Sequence, residues 1–222
     1  MTINDFKLAD FKCAILDLDG TLLNSTGVWE QIDIEFLGKR GIEVPKDFME
    51  AIKTHNFMSG AVYAVERFGL DEKPEDIVKE WYDMAIQEYT YNICLKPYAK
   101  EYLEMLKKKG IKLVVATSSD RVLYEPCLKR NGIYELFDDF TQTDEVERGK
   151  GFPDVYELAA KKAGVSKEAC VVFEDIVRAV EGARSGDFFT VAIADNGSLK
   201  DEKRIREVCD VYVENYKDLL ED

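Results

Sequence analysis

Two acids stand one residue apart at the end of an apolar run, and their spacing is the first sign of chemistry in this sequence. The run CAIL (13–16) is typical of a buried strand, and Asp17 and Asp19 follow it, with Gly20 next. Side chains at positions i and i+2 leave a strand on the same face, so the two carboxylates would repel each other. A bound divalent cation would offset that repulsion, and we therefore expect a metal ion here.

A second acidic pair and a lysine complete the candidate set. Glu174 and Asp175 end the apolar run CVVF (170–173) in the same manner. Several carboxylates can crowd together only around a cation, and hard oxygen ligands favour Mg²⁺. The formal net charge is −14, so a site for an anionic substrate needs local neutralisation by a metal, a lysine or backbone amides. Lys150, in ERGKGFPD (147–154), is a candidate for that positive charge.

The elements that must position these residues alternate between short β-branched runs and amphipathic segments. Five runs are predicted to be strands, and five segments between them are predicted to be helices. This alternation predicts an α/β protein with a mostly parallel sheet and helices on both of its faces. The strands are predicted at 13–17, 112–117, 170–174, 189–193 and 210–214, and the helices near 98–109, 120–130, 154–164, 176–185 and 200–208.

Residues 25–95 are the exception, because no strand pattern is evident there. Apolar residues recur at helical spacing, as in IVKEWYDMAIQEY (77–89), and about four helices are predicted. We expect an α/β core of residues 1–24 and 96–222, interrupted after its first strand by an all-helical domain of residues 25–95. Ligands of open α/β sheets bind at the carboxyl ends of the strands, so the insertion stands where a lid would act.

Four segments lie at the carboxyl ends of predicted strands or just before a predicted helix. They are DLDGT (17–21), ATSSD (116–120), ERGKGFPD (147–154) and FEDIV (173–177). In this order they resemble the four motifs of the haloacid dehalogenase (HAD) superfamily, the phosphohydrolases with an aspartate nucleophile. The helical insertion resembles the cap of the subgroup that contains phosphoglycolate phosphatase-like and β-phosphoglucomutase-like enzymes. The resemblance implies a Rossmann-like parallel-sheet core with an inserted all-α cap.

The resemblance implies a role for each acid. Asp17 would be the nucleophile that attacks phosphorus and forms an aspartyl-phosphate, and Asp19 would be the general acid and base. Asp17, the backbone carbonyl of Asp19, and Asp175 would bind Mg²⁺, with Glu174 bound directly or through water. Gly20 would permit the tight turn and close backbone approach that such a site needs. Plainer roles stay open: a solvated turn at Asp17 and Asp19, and an N-cap for the helix that follows Asp175.

The resemblance also implies two groups that contact phosphate. The Thr117 hydroxyl would hydrogen-bond the transferring phosphoryl group, with help from the amides of Ser118 and Ser119. Lys150 would offset negative charge on the nucleophile and the phosphate. Thr117 could instead be a helix cap at a strand–helix junction, and Lys150 could be a solvated surface lysine.

Two departures from the family pattern lie next to the proposed site residues. Gly151 stands where the lysine motif often has proline, which loosens the backbone that holds Lys150. Ile176 and Ala179 stand where the acidic motif often has serine and glycine, so a hydrogen bond that could orient the acid is missing. Neither change removes a reacting group.

A Mg²⁺-dependent phosphatase acting on a small phosphorylated metabolite is the function that the resemblance favours. Dehalogenases of the same fold lack the second acid of the first motif, so Asp19 disfavours dehalogenation. A sugar phosphomutase similar to β-phosphoglucomutase is one alternative, and a non-catalytic module that binds a phosphometabolite is another. The mutase type carries a linker histidine where this chain has Trp29, which could pack on a helix or stack on a substrate. The one histidine, His55, is a candidate specificity residue.

Composition limits the location and the partners. Five scattered cysteines without a Cys-x-x-Cys pair indicate reduced thiols, and the segment MTINDFKLADFK lacks the pattern of a signal peptide, so we expect a cytoplasmic protein. No apolar run approaches the roughly 18–20 residues of a membrane span. The acidic charge also disfavours nucleic acid and anionic membranes as partners. The oligomeric state is open, with a monomer expected.

Overall fold

A computed structural model describes residues 11–52 and 55–220 of the chain. Most of MTINDFKLADFK, the segment without a signal-peptide pattern, lies outside the described residues. The chain divides into a sheet unit, Met1–Thr26 and Ile93–Asp222, and an inserted unit, Gly27–Asn92. In the part of the chain that the structure describes, no helix has both the length and the apolar character to cross a bilayer.

The strands of the sheet unit form where buried apolar and β-branched residues are densest. They make one parallel sheet with the order β3-β2-β1-β4-β5-β6, so β1 lies in the middle between β2 and β4. The mostly parallel sheet predicted from the alternating pattern is confirmed. The strands are β1 (Cys13–Leu16), β2 (Lys112–Thr117), β3 (Asp139–Gln142), β4 (Cys170–Glu174), β5 (Phe189–Ile193) and β6 (Val211–Val213).

Nine α-helices are present among residues 11–52 and 55–220, four in the inserted unit and five in the sheet unit. Short 3₁₀ turns connect several of the elements of the sheet unit. The helices are α1 (Val28–Gly38), α2 (Lys46–Ile52), α3 (Phe57–Phe68), α4 (Pro74–Tyr91), α5 (Ala99–Lys108), α6 (Arg121–Arg130), α7 (Asp154–Ala163), α8 (Val177–Ser185) and α9 (Glu202–Val208).

Helices cover both faces of the sheet. On one face, Val155 of α7 packs in a buried cluster with Ile15 of β1 and Val172 of β4. The next residue of β4, Phe173, points to the opposite face, where its ring lies 5.8 Å from the ring of Tyr102 in α5. Fully buried strands on both faces explain why the strand sequences are continuous apolar runs.

The sequence pattern does not predict β3, and the prediction of five strands is wrong by this one. Strand β3 has the sequence DFTQ, in which Thr141 alone is buried. Among the described strands it pairs only with β2, at the edge of the sheet. Its Phe140 stacks on Tyr124, with ring centroids 5.5 Å apart. A short edge strand needs backbone pairing and one packed ring rather than an apolar run, so periodicity does not detect it.

The inserted unit is built on the apolar face of α4. Ile77, Trp81, Ala85 and Tyr89 are all buried, as their helical spacing predicts. Pro74 occupies the first turn of α4, where its missing N–H is tolerated. The prediction of about four helices in this segment is confirmed.

Trp29, His55 and Asn56 each contact a neighbouring residue within the inserted unit. Asn56 caps α3, and its side chain accepts a hydrogen bond from Ser59 N (2.9 Å). His55 is exposed and stacks on Tyr63 with ring centroids 5.2 Å apart. Trp29 is 37% exposed and packs edge-on against a neighbouring phenylalanine. The edge-on contact supports helix packing for Trp29, and contacts of Trp29 and His55 with a substrate stay predictions.

Candidate active site

The register of the central strands brings three carboxylates together. Leu16 of β1 is aligned with Phe173 of β4, so the next residues along the two strands, Asp17 and Glu174, leave the sheet side by side. Asp175 follows directly. One carboxylate oxygen from each of Asp17, Glu174 and Asp175 lies within 4.8 Å of the others, and all three residues are buried. We call these three residues the acid cluster.

Lys150 supplies a positive charge to the acid cluster. Its Nζ forms an ion pair with Asp17 Oδ1 and a second with Glu174 Oε1 at 2.7 Å, and its side chain is only 11% exposed. Lys150 is therefore not a solvated surface lysine. Burial lowers the pKa of Lys150, but the charges of Asp17 and Glu174 outweigh burial and raise that pKa above its usual value. The ammonium stays protonated.

The backbone of Lys150 is held by close packing, although Gly151 replaces the proline of the family pattern. A side chain on Gly182 of α8 would collide with the carbonyl oxygen of Lys150 and would approach Gly151 C to 2.8 Å. Glycine at position 182 thus lets α8 lie directly against this loop. The looseness expected from Gly151 is offset by this contact.

Glu174 has one satisfied and one orphaned oxygen. Tyr156 OH donates a hydrogen bond to Glu174 Oε1 (2.8 Å). Glu174 Oε2 is buried and has no hydrogen-bond partner among the described residues. Burial raises the pKa of Glu174, Lys150 opposes the rise, and the nearby charge of Asp17 adds to it. A buried carboxylate oxygen without a partner is unfavourable, so this atom is an open ligand position.

Burial and the neighbouring carboxylates also act on Asp175. Burial and the charges of Asp17 and Glu174 raise the pKa of Asp175. Thr21 Oγ1 lies 3.1 Å from Asp17 Oδ2 and 3.3 Å from Asp175 Oδ1, so its single hydrogen is within reach of both carboxylates. Thr21 and Tyr156 provide orientation that Ile176 and Ala179 do not.

Gly20 allows the first motif to approach the second acidic pair. Its φ is +83°, in the left-handed region that favours glycine. A Cβ at this position would collide with Asp175 Oδ2 and would lie 2.9 Å from Asp175 Cγ. The backbone of Gly20 therefore passes directly over a carboxylate of the acid cluster, as the close approach predicted for this glycine requires.

The other predicted residues lie at the same edge of the sheet but outside the acid cluster. Asp19 is half-buried, and its Oδ1 accepts a hydrogen bond from Ser25 Oγ (2.7 Å). Thr117 is buried at the carboxyl end of β2, and its Oγ1 accepts a hydrogen bond from Ser119 N (3.0 Å). The Ser118 side chain is exposed. Phosphoryl contacts by Thr117 and Ser118 stay predictions.

The acid cluster fits a divalent cation. Its ligand atoms are all carboxylate oxygens, which hard cations prefer. Glu174 Oε2 lacks any other partner in the described part of the chain. Three buried carboxylates also exceed the single positive charge of Lys150, and a cation would offset the excess. Asp17, Glu174 and Asp175 could therefore hold a metal ion.

Comparison with protein families decides the assignment. A family model described as haloacid dehalogenase-like hydrolase matches residues 11–187, well over half of the chain. The chain belongs to the haloacid dehalogenase-like hydrolase family. The predicted resemblance to the HAD superfamily and the prediction of a hydrolase are confirmed.

Two curated relatives show the range of proteins in which this HAD-like sequence occurs. SUPPRESSOR OF QUENCHING 1 of Arabidopsis thaliana is 29% identical over 185 residues, covering 81% of this chain and 17% of that protein. The chain thus spans less than a fifth of that relative. The phosphorylated carbohydrates phosphatase of Thermotoga maritima is 26% identical over 174 residues, covering 78% of this chain and 81% of that enzyme.

A solved structure supports the same HAD-like fold. The crystal structure of a Thermotoga maritima protein assigned as a β-phosphoglucomutase matches with a TM-score of 0.85 and 25% identity. The match covers 95% of this chain and 97% of that chain. The fold predicted from the sequence, a Rossmann-like sheet with an inserted helical segment, is confirmed.

The sequence motifs do not identify two residues of this HAD-like site. Thr21 belongs to the quoted DLDGT segment, and a hydroxyl directly after Gly20 was a usable signal for it. Tyr156 lies on the buried face of α7, where an aromatic residue is indistinguishable from core. Only the fold shows that its hydroxyl reaches Glu174.

Proposed function

We propose that this HAD-like hydrolase is a Mg²⁺-dependent phosphatase that hydrolyses a small phosphomonoester through an aspartyl-phosphate. The observation that supports it most is the buried contact between Asp17, Lys150 and Glu174 at the carboxyl edge of the sheet, with Asp175 beside it. A nucleophilic carboxylate, a fixed cation and spare metal ligands in one place suit phosphoryl transfer.

In the proposed reaction, an oxygen of Asp17 forms a bond to phosphorus while the bond from phosphorus to the leaving oxygen breaks. Thr21 and Lys150 hold the two oxygens of this carboxylate in a fixed orientation. Asp19 donates a proton to the leaving oxygen. In the second half, Asp19 takes a proton from the water that attacks phosphorus, which releases inorganic phosphate and frees Asp17.

The other residues of the proposed site balance the charge of the nucleophile and the phosphate. Lys150 reduces the negative charge that the phosphate meets at Asp17. Asp17, Glu174, Asp175 and the backbone carbonyl of Asp19 would hold Mg²⁺. When bound, Mg²⁺ would supply the charge neutralisation that lets a phosphate dianion approach these carboxylates.

A phosphorylated sugar is the substrate class that the relatives favour, since one of them is named for phosphorylated carbohydrates. We propose the sheet unit as the catalytic core and the inserted unit as the cap that selects the substrate. The inserted unit contains a cavity of about 510 Å³ lined in part by Trp29, His55 and Trp81.

All five cysteines are free thiols, which supports the proposed cytoplasmic location.

Metal dependence tests the proposed function. The purified full chain should hydrolyse p-nitrophenyl phosphate, and EDTA should reduce the rate at least about 100-fold, because three carboxylates then face the phosphate without a metal. Added Mg²⁺ should restore the full rate. The release of inorganic phosphate is measured with a colorimetric assay. Turnover that is insensitive to EDTA contradicts the metal role, and no turnover over a wide panel of phosphate esters indicates a binding module.

A sugar phosphomutase is the second candidate, since a similar solved structure is assigned as a β-phosphoglucomutase. Trp29 occupies the linker position where that enzyme type carries a histidine, which favours the phosphatase. The two candidates separate by ³¹P NMR with β-glucose 1-phosphate. Free phosphate supports the phosphatase, and an isomerised sugar phosphate supports the mutase.

A further inference from the structure

Two segments connect the sheet unit to the inserted unit, and they pair with each other. The outgoing segment is 22–26, and the returning segment is 93–96. Asn24 N donates a hydrogen bond to the Cys94 carbonyl (2.9 Å), and Lys96 N donates one to the Leu22 carbonyl (2.8 Å). Both segments belong to the sheet unit, up to the points where the chain leaves and re-enters it.

A buried ion pair holds the returning segment to the sheet. Lys96 Nζ lies 2.9 Å from Asp195 Oδ2, with side chains only 10% and 3% exposed. Lys96 Nζ also donates a hydrogen bond to the carbonyl of Ala194 (2.5 Å), just beyond β5. Both partners are far more buried than a surface pair such as Lys167 and Asp187, which are 36% and 83% exposed.

The other oxygen of Asp195 holds the outgoing segment. Asp195 Oδ1 accepts a hydrogen bond from Thr26 Oγ1 (2.5 Å) and another from Gly197 N (2.8 Å). A side chain on Gly197 would collide with Thr26 Cγ2, so this contact needs glycine. Burial raises the pKa of Asp195, but Lys96, Thr26 and Gly197 outweigh burial and lower that pKa below its usual value. The carboxylate stays ionised while it binds both segments.

The chemistry of the proposed reaction gives these residues no task. Removing two charges from water offsets much of their attraction, so a buried ion pair is weak evidence for a gain in stability. Such pairs are retained in some proteins because they specify one arrangement of the chain. Here the arrangement specified is that of the two segments that lead into and out of the inserted unit.

We propose that Asp195 is a positioning residue that binds Lys96 and Thr26 and thereby fixes the two connecting segments. The fixed arrangement of these segments sets the affinity for substrate. The statement about affinity rests on the proposed function, in which the inserted unit selects the substrate. Loosened segments reduce the fraction of molecules that are competent to bind substrate, and the apparent affinity falls in proportion to that fraction.

Hydrogen exchange tests the positioning role without any assay of activity. The variants are Asp195→Asn, Lys96→Met and the uncharged, isosteric Thr26→Val, with Asp187→Asn as the matched control at an exposed pair. Amide exchange of the full chain with Mg²⁺ should accelerate at least about tenfold at Asn24 in all three variants, and at Lys96 in Asp195→Asn and Thr26→Val. The amides of β1 and β2, and every amide of the control, should be unchanged.

Two exchange results overturn the positioning role. Unchanged exchange at Asn24 and Lys96 shows that Asp195 does not fix the segments. Equal acceleration in the segments and in the sheet shows that the residue contributes only to global stability. Should Asp195→Asn fail to fold, Thr26→Val gives the same comparison without a change of charge.

Steady-state kinetics test the second part of the proposal, the effect on the affinity for substrate. Thr26→Val should raise KM for the phosphomonoester about tenfold while kcat changes less than about twofold, since the chemistry is untouched. A fall in kcat with constant KM, or no change in either constant, overturns the role in affinity even where exchange accelerates. A wild-type protein without phosphatase activity contradicts the proposed function instead, and the exchange result then stands by itself.

Discussion

Replacing Asp17 by asparagine is expected to reduce kcat for phosphomonoester hydrolysis at least about 10³-fold, because an amide has the shape of the carboxylate but is no nucleophile toward phosphorus. The fold should be retained. The variant removes one of three crowded buried carboxylates, and Lys150 keeps its ion pair with Glu174. The melting temperature in EDTA should therefore be equal to or higher than that of the wild type.

The measurement combines a steady-state assay with thermal unfolding of the same sample. Asp144→Asn is the matched control, since Asp144 is exposed and the same change should leave the rate and the melting temperature unaffected. An Asp17→Asn protein that keeps more than about a tenth of the wild-type kcat contradicts the nucleophile assignment. A large loss of stability would show that Asp17 is needed for folding instead.

Gly20→Ala should destabilise the protein by about 2–5 kcal/mol, the sum of a left-handed alanine at about 1–2 and a steric overlap at about 1–3 kcal/mol. The overlap arises because the new methyl group would collide with the carboxylate of Asp175. Displacement of Asp175 should also raise the Mg²⁺ concentration needed for half-maximal activity. Urea denaturation measures the first effect, and a Mg²⁺ titration of the rate measures the second.

Gly164→Ala is a control that separates the cost of a left-handed backbone from the cost of steric overlap. Gly164 has a φ of +65°, close to that of Gly20, but no atom of the described residues beyond its two chain neighbours lies within 4 Å of a Cβ at this position. The control should lose only about 1–2 kcal/mol and keep the wild-type Mg²⁺ dependence. Equal losses in both variants would mean that Gly20 is needed for its backbone conformation alone and that no close approach to Asp175 exists.

Local patterns in the sequence predicted the elements that hold the site. The runs that became β1, β2 and β4 are continuous and apolar because these strands are buried on both faces, so their carboxyl ends and the acids that follow could be placed. Strand β3 could not be predicted, since an edge strand with one buried residue has no continuous apolar run.

Contacts between distant positions could not be predicted from the sequence. Lys150 could be read as a surface lysine until the fold placed it against Asp17, 133 residues away. The ion pair of Lys96 with Asp195 has no motif, because its partners lie on separate elements and only tertiary packing brings them together. Residue type predicted which groups could react, and the fold was needed to show which of them meet.

In the proposed reaction, Asp17 takes the phosphoryl group from the substrate. The most direct test is to quench turnover in acid at early times, with saturating substrate and Mg²⁺, and to locate the phosphoryl group by peptide mass spectrometry. We expect a phosphorylated aspartate at position 17 in the wild type and no phosphorylated peptide in Asp17→Asn. A phosphoryl group on another residue that persists in Asp17→Asn would show that Asp17 is not the nucleophile.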